Sequence, residues 1–141
     1  MHAWDTETIN IDAKEDSPVG HGYVISAQCF IGPDVDFGNG PRLFIDNYAD
    51  SKGVLLEFKD YFKDAGFLKC WHNYGFDRHV MRNTGIECAG FGGDTMHMAR
   101  LADASRMPNQ YALSALSDIL EKEIEETKQE IIQLLKKTTD D

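Results

Sequence analysis

An aspartate and a glutamate stand two residues apart near the start of the chain, in Trp4-Asp5-Thr6-Glu7-Thr8. In an extended strand alternate side chains share a face, so Asp5 and Glu7 point the same way. Two adjacent carboxylates repel unless a cation lies between them, and a hard divalent ion such as Mg²⁺ takes oxygen ligands of this kind. The plain alternative is a solvated acidic face, because Asp and Glu are mostly exposed. A second acidic stretch, Trp71-His72-Asn73-Tyr74-Gly75-Phe76-Asp77, lies where a buried strand pattern runs into a helix. Asn73 and Asp77 are four apart and so neighbours on one helical face. Alone, Asp77 reads as a surface or capping residue. Beside the end of the first strand it would complete a three-carboxylate cluster.

The elements that must position these groups follow from the hydrophobic pattern. Residues 2–9 read as a strand and 10–21 as a polar loop. Residues 23–31, rich in β-branched and aromatic side chains, read as a second strand. Turn chemistry at Gly32-Pro33 and at Phe37 to Pro41 leads to a short third strand, 42–46, which fits an antiparallel meander. The period then changes. Val54, Leu55, Phe58, Tyr61 and Phe62 follow helical spacing, with Asp50 or Ser51 as the expected cap and Gly66 as the stop. A buried strand over 67–72 precedes a helix from Tyr74 to about Asn83, with Gly85 as its C-terminal glycine. A weak strand over 86–91 leads to Asp94, the expected cap of a helix over 96–104. This alternation implies parallel strands with crossover helices. After a loop at 106–110 the chain reads as helical to its end, with a possible break near Asp118. Residues 121–141 form a charged helical tail whose sparse apolar seam is Ile124, Ile131, Leu134 and Leu135.

Composition narrows the function classes. The chain has 141 residues, 42% hydrophobic and 27% charged, which suits one globular domain with a real core. No apolar run approaches the length that crosses a bilayer, so no membrane partner is expected. A net charge of −10 argues against broad adhesion to nucleic acid through Lys and Arg. It leaves room for an enzyme whose metal ions supply the local positive charge. Cys29, Cys70 and Cys88 are odd in number and far apart, which suits reduced core thiols. Cys70 and His72 share a strand face but have no second pair to complete a metal site. His97 reads as a helix-edge residue, and Gly90-Phe91-Gly92-Gly93 as a turn, since no Gly-Lys-Ser/Thr follows. Phe58, Tyr61, Phe62 and Phe67 follow core spacing.

Taken together, these stretches resemble a known family. Asp5-Thr6-Glu7 at a strand end resembles the first motif of the DEDD 3′→5′ exonucleases, and Asn73-Tyr74-Gly75-Phe76-Asp77 is similar to their second, Asn-x-x-x-Asp with Phe before the acid. Asp94-Thr95-Met96 matches the next strand-to-helix junction, and Tyr111 to Leu116 the following helix start. The narrower likeness is to the proofreading domain of A-family DNA polymerases, and within it to the organellar polymerases of plants and algae. Residues 71–77 and 93–101 carry it, and the resemblance extends over residues 1–120.

That resemblance implies an α/β, ribonuclease H-like exonuclease fold, a mixed sheet of three antiparallel plus two parallel strands flanked by helices. It implies two divalent metal ions, Mg²⁺ or Mn²⁺, about 3.5–4 Å apart across the terminal phosphodiester. By position Asp5 would bridge both ions, Glu7 would bind the water-activating one and Asp77 would support the other. Asn73, and with it Thr6 and Thr8, are the implied substrate contacts. The implied partners are the 3′ end of single-stranded DNA and a polymerase domain in a longer chain, and the implied compartment is plastid or mitochondrion. The family's third motif, Tyr-x-x-x-Asp, is not found: Tyr111 is followed four residues later by Ala115, and Asp140-Asp141 have no aromatic partner at the motif's spacing. The expectation is therefore a fragment that stops short of that motif. The alternatives are a catalytically silent nucleic-acid-binding relative and an RNase D-like exoribonuclease, which uses the same motifs.

Overall fold

The computed structural model describes residues 1–12 and 14–139, and the side chains of 138 and 139 are not among those described. Asp140 and Asp141, the end of the expected tail, lie outside the described residues. The chain divides into two compact units, Met1–Thr95 and the residues from Met96 on.

The first unit is built on one five-stranded sheet in the order β3-β2-β1-β4-β5. Its strands are β1 (His2–Ile9), β2 (Tyr23–Phe30), β3 (Arg42–Asp46), β4 (Lys69–Trp71) and β5 (Phe91–Asp94). The β1–β2 and β2–β3 pairs are antiparallel, while β4 runs parallel to both β1 and β5. This is the expected mixture of a meander and two parallel strands. Along β1 burial alternates: Trp4 is buried and Thr6 half-buried, whereas Asp5 and Glu7 are exposed. Trp4 packs on Phe62 with ring centroids 4.6 Å apart, and its Nε1 donates to the Tyr61 hydroxyl at 2.9 Å. An apolar face with one satisfied indole thus fixes β1 against the helical side of the unit.

The segment expected as one helix over residues 54–62 is instead a 3₁₀ stretch, Val54–Phe58, followed by the short α1 (Lys59–Lys63). Neither Asp50 nor Ser51 caps it. Buried Asn47 does so from the end of β3, its Oδ1 accepting from Gly53 N and Leu55 N, both at 3.0 Å. A side chain reaching across from the sheet dictates this start, which local spacing does not reveal. Next comes α2 (Tyr74–Asn83), ending as expected at Gly85 with φ +97°. The weak strand expected at 86–91 is displaced: β5 begins at Phe91 and contains Gly92 and Gly93. Gly92 serves close backbone approach and not a turn, for a Cβ there would lie 3.2 Å from Lys69 O on the neighbouring strand.

The second unit holds α3, which starts at the boundary (Thr95–Ala102), a 3₁₀ turn at Pro108–Tyr111, and α4 (Leu113–Thr139). Arg100 stacks its guanidinium 4.8 Å from the Tyr111 ring centroid, and the Tyr111 hydroxyl donates to Asp103 O at 3.2 Å. The helix α4 runs unbroken past Asp118 and through residues 120 and 121. No helix among the described residues is long and apolar enough to cross a membrane.

Among the described residues three non-glycine residues have positive φ: Asn10, Ala49 and Asn73. Asparagine tolerates the left-handed region, but alanine has no polar group to compensate there. Ala49→Gly is therefore expected to stabilise the protein by about 0.5–1 kcal/mol, read as a raised urea midpoint at unchanged slope. A fall in the midpoint would show that φ +51° at Ala49 is unstrained.

Candidate active site

The register of the sheet opens a space beside the acidic pair. β1 pairs with β4 only at His2↔Lys69 and Ala3↔Cys70, so Asp5 and Glu7 lie beyond the last paired residue. β4 ends at Trp71 and the chain turns sharply into α2 through Asn73, at φ +62°. A crevice past the carboxyl ends of parallel strands is where open α/β sheets place their ligands.

The turn is held from the next strand. Asp94, buried at the end of β5, accepts from Asn73 N at 2.9 Å and from Tyr74 N at 2.7 Å. It therefore satisfies the orphan amides of α2 across the β4–β5 pair, a role beyond the cap of its own helix expected from the sequence. Thr95 Oγ1 donates to Trp71 O at 3.2 Å and bonds His72 Nδ1 at 2.8 Å. His72 is thus a junction residue that ties β4 to the end of β5. Cys70 forms no disulfide, nor do Cys29 and Cys88.

This framework directs Asp77, in the first turn of α2, onto β1. The side chain is only 4% exposed, and the Thr6 hydroxyl donates to its Oδ1 at 2.6 Å. Burial pushes the Asp77 carboxyl up to about 7, the Thr6 bond opposes that rise, and the charges of Asp5 and Asp94 add to it. A buried acid with like charges as neighbours is the environment in which functional carboxylates are found.

The sequence-predicted residues come together unequally. Asp77 meets Thr6, the residue between the two acids, and Asp5 is close enough for its charge to act on Asp77. Glu7 and Asn73 are exposed, and Thr8 is half-buried. Among the described residues no group of three or more His, Cys, Asp or Glu side chains converges to hold a metal ion. The oxygen donors suit Mg²⁺ or Mn²⁺ chemically, but as placed they do not close around one ion. Thr6 as the Asp77 partner and Asp94 as the anchor of α2 are not visible from spacing. The nearest signal is an acid directly after Gly92-Gly93 at a strand end.

No protein-family model matches the chain. It is 48% identical over 120 residues to DNA polymerase I A, chloroplastic/mitochondrial, of Arabidopsis thaliana, covering 83% of this chain and 11% of that protein. It is 47% identical over 123 residues to DNA polymerase I B, mitochondrial, of Oryza sativa subsp. japonica, covering 84% of this chain and 12% of that protein. The chain thus spans about an eighth of these relatives or less. The POL domain of Pol1 from M. smegmatis, solved with a DNA primer-template and dNTP, aligns with a TM-score of 0.51 at 15% identity. That alignment covers 74% of this chain and 16% of the other, and it shows a shared fold.

Proposed function

We propose that this chain, homologous over 83% of its length to a segment of plant organellar DNA polymerase I, is a metal-dependent 3′→5′ exonuclease domain. The domain would remove nucleotides from the 3′ end of single-stranded DNA and so proofread replication. The observation that carries the reading is Asp77: a buried carboxylate, set by a dedicated turn at the start of α2, aimed at the strand that bears Asp5 and Glu7.

Asp5, Glu7 and Asp77 are the proposed ligands of two divalent ions. When bound, such ions polarise the scissile phosphodiester and lower the pKa of a bound water. The chain's own residues do the positioning. Thr6 orients Asp77, Asp94 fixes the entry of α2, and Asn73, exposed at the turn beside the site, is the proposed contact for the strand near its 3′ end. The full-length protein would carry a polymerase domain on the same chain. The relatives' names place them in chloroplast or mitochondrion, and the same compartments are proposed here.

A catalytically silent nucleic-acid-binding domain is the second reading. It is favoured by the placement of Asp5, Glu7 and Asp77, which among the described residues do not converge into a group that could hold a metal ion. Incubation with 3′-labelled single-stranded DNA and Mg²⁺ or Mn²⁺ separates the two. The exonuclease reading expects mononucleotide release, reduced at least about a hundredfold by Asp5→Ala, with loss of bound Mn²⁺ seen by electron paramagnetic resonance. A folded wild-type chain that neither binds Mn²⁺ nor releases nucleotide supports the silent domain. An RNA strand in parallel tests the RNase D-like alternative.

A further inference from the structure

At the far end of β1 from its β4 pairing, the first unit contains a cavity of about 760 Å³, within the range of small-molecule sites. Its lining includes Asn10, Tyr23, Tyr48, Lys52, Leu56 and Asn83, and none of Asp5, Glu7 or Asp77. Tyr23 and Tyr48 remain 52% and 55% exposed. Among the described residues, ring contacts gather around Trp4, Tyr61 and Trp71 and none involves these two tyrosines. In a chain of net charge −10, no carboxylate lines the cavity, and Lys52 is its one charged lining residue among those described. Asn83 commits its Nδ2 to Pro18 O and His21 O, which leaves Oδ1 as an acceptor. Asn10 and Ala49, two non-glycine residues with positive φ, also line it. Backbone in such sparsely populated regions gathers at ligand sites.

We propose that this cavity binds a nucleoside monophosphate, its base stacked on Tyr48 or Tyr23 and its phosphate on Lys52. Flat π-faces hold any base by stacking, side-chain amides offer donors and acceptors to base edges, and an ammonium serves a phosphate as a point charge. An aliphatic ligand would gain nothing from the amides, and a polyanion would meet only one cation. The proposal does not depend on the exonuclease reading, because the cavity and the three carboxylates share no lining residue.

The test is a titration of the ¹⁵N-labelled chain in EDTA with a deoxynucleoside monophosphate, with the nucleoside alone and with inorganic phosphate. Saturable shifts are expected at Asn10, Tyr48, Gly53 and Thr84. Tyr48→Ala is expected to weaken binding at least about tenfold. Lys52→Glu should weaken the monophosphate and leave the nucleoside unchanged, and Asp5→Ala should change neither. No shifts at millimolar ligand, shifts confined to Asp5 and Asp77, equal shifts with phosphate alone, or indifference to Tyr48→Ala would each overturn the proposal. Nuclease activity plays no part in the readout, so the exonuclease reading and this one fail separately.

Discussion

Replacing Lys69 with methionine is expected to destabilise the protein by about 2–5 kcal/mol, from the loss of three charge-assisted hydrogen bonds to backbone carbonyls. Lys69 is 0% exposed. Its ammonium donates to Asp64 O at 2.9 Å, Phe67 O at 2.8 Å and Ala89 O at 3.0 Å, and it lies 4.7 Å from the Tyr61 ring centroid. Those three carbonyls use all three N–H donors of the side chain. Burial lowers the Lys69 pKa, and the charges of Cys88 and Asp64 oppose that fall. Methionine fills similar volume but withdraws a donor from all three carbonyls; Asp64 O keeps a longer bond from Phe67 N at 3.4 Å, and a carbonyl left unsatisfied costs about 1–3 kcal/mol. The effect reaches the site, because Lys69 clamps the loop that enters β4 to the segment that enters β5. Those two strands hold the turn into α2. Urea unfolding of the variant checks this: a loss below about 1 kcal/mol would mean that water replaces the ammonium at little cost.

Much of the sheet is legible in the sequence, because β1, β2 and β3 alternate or carry β-branched and aromatic residues between clear turn signals. The failures have a common cause. Asn47 starts the Val54–Phe58 stretch from another strand, and β5 uses Gly92 because a neighbouring backbone passes close by. Both are long-range constraints acting on locally ambiguous segments, where tertiary context overrides pattern. Lys69 lies in a stretch that reads as a buried strand, and nothing near it in sequence announces three carbonyls around its ammonium. At the site, the sequence supplies the acids and their order. The pairing of Asp77 with Thr6 depends on how α2 is rotated over β1, and that rotation is set by Asp94, seventeen positions further on.

The same buried acid that points to function should cost stability. Asp77→Asn is expected to stabilise the metal-free protein above pH 7 by on the order of 4 kcal/mol, since a carboxyl pushed from 3.8 up to about 7 must ionise in place there. The sign follows from proton binding. Between about pH 4 and pH 7 the folded chain holds the Asp77 proton and the unfolded chain does not, so stability falls as pH rises through that window and levels off above it. Asparagine keeps an Oδ1 to accept from Thr6 and carries no charge to bury, so the wild-type fall attributable to this group disappears. The measurement is urea unfolding of both chains in EDTA from pH 4 to pH 8. Their stabilities should converge near pH 4 and separate progressively towards pH 8. Parallel curves would mean that Asp77 titrates as an ordinary exposed carboxylate. On the exonuclease reading, Mg²⁺ in excess should narrow the gap at pH 8, because an ion bound to the folded wild type adds stability that the asparagine variant does not gain to the same degree. A stabilising substitution that also removes nuclease activity is the trade expected of a residue kept for its chemistry and not for the fold.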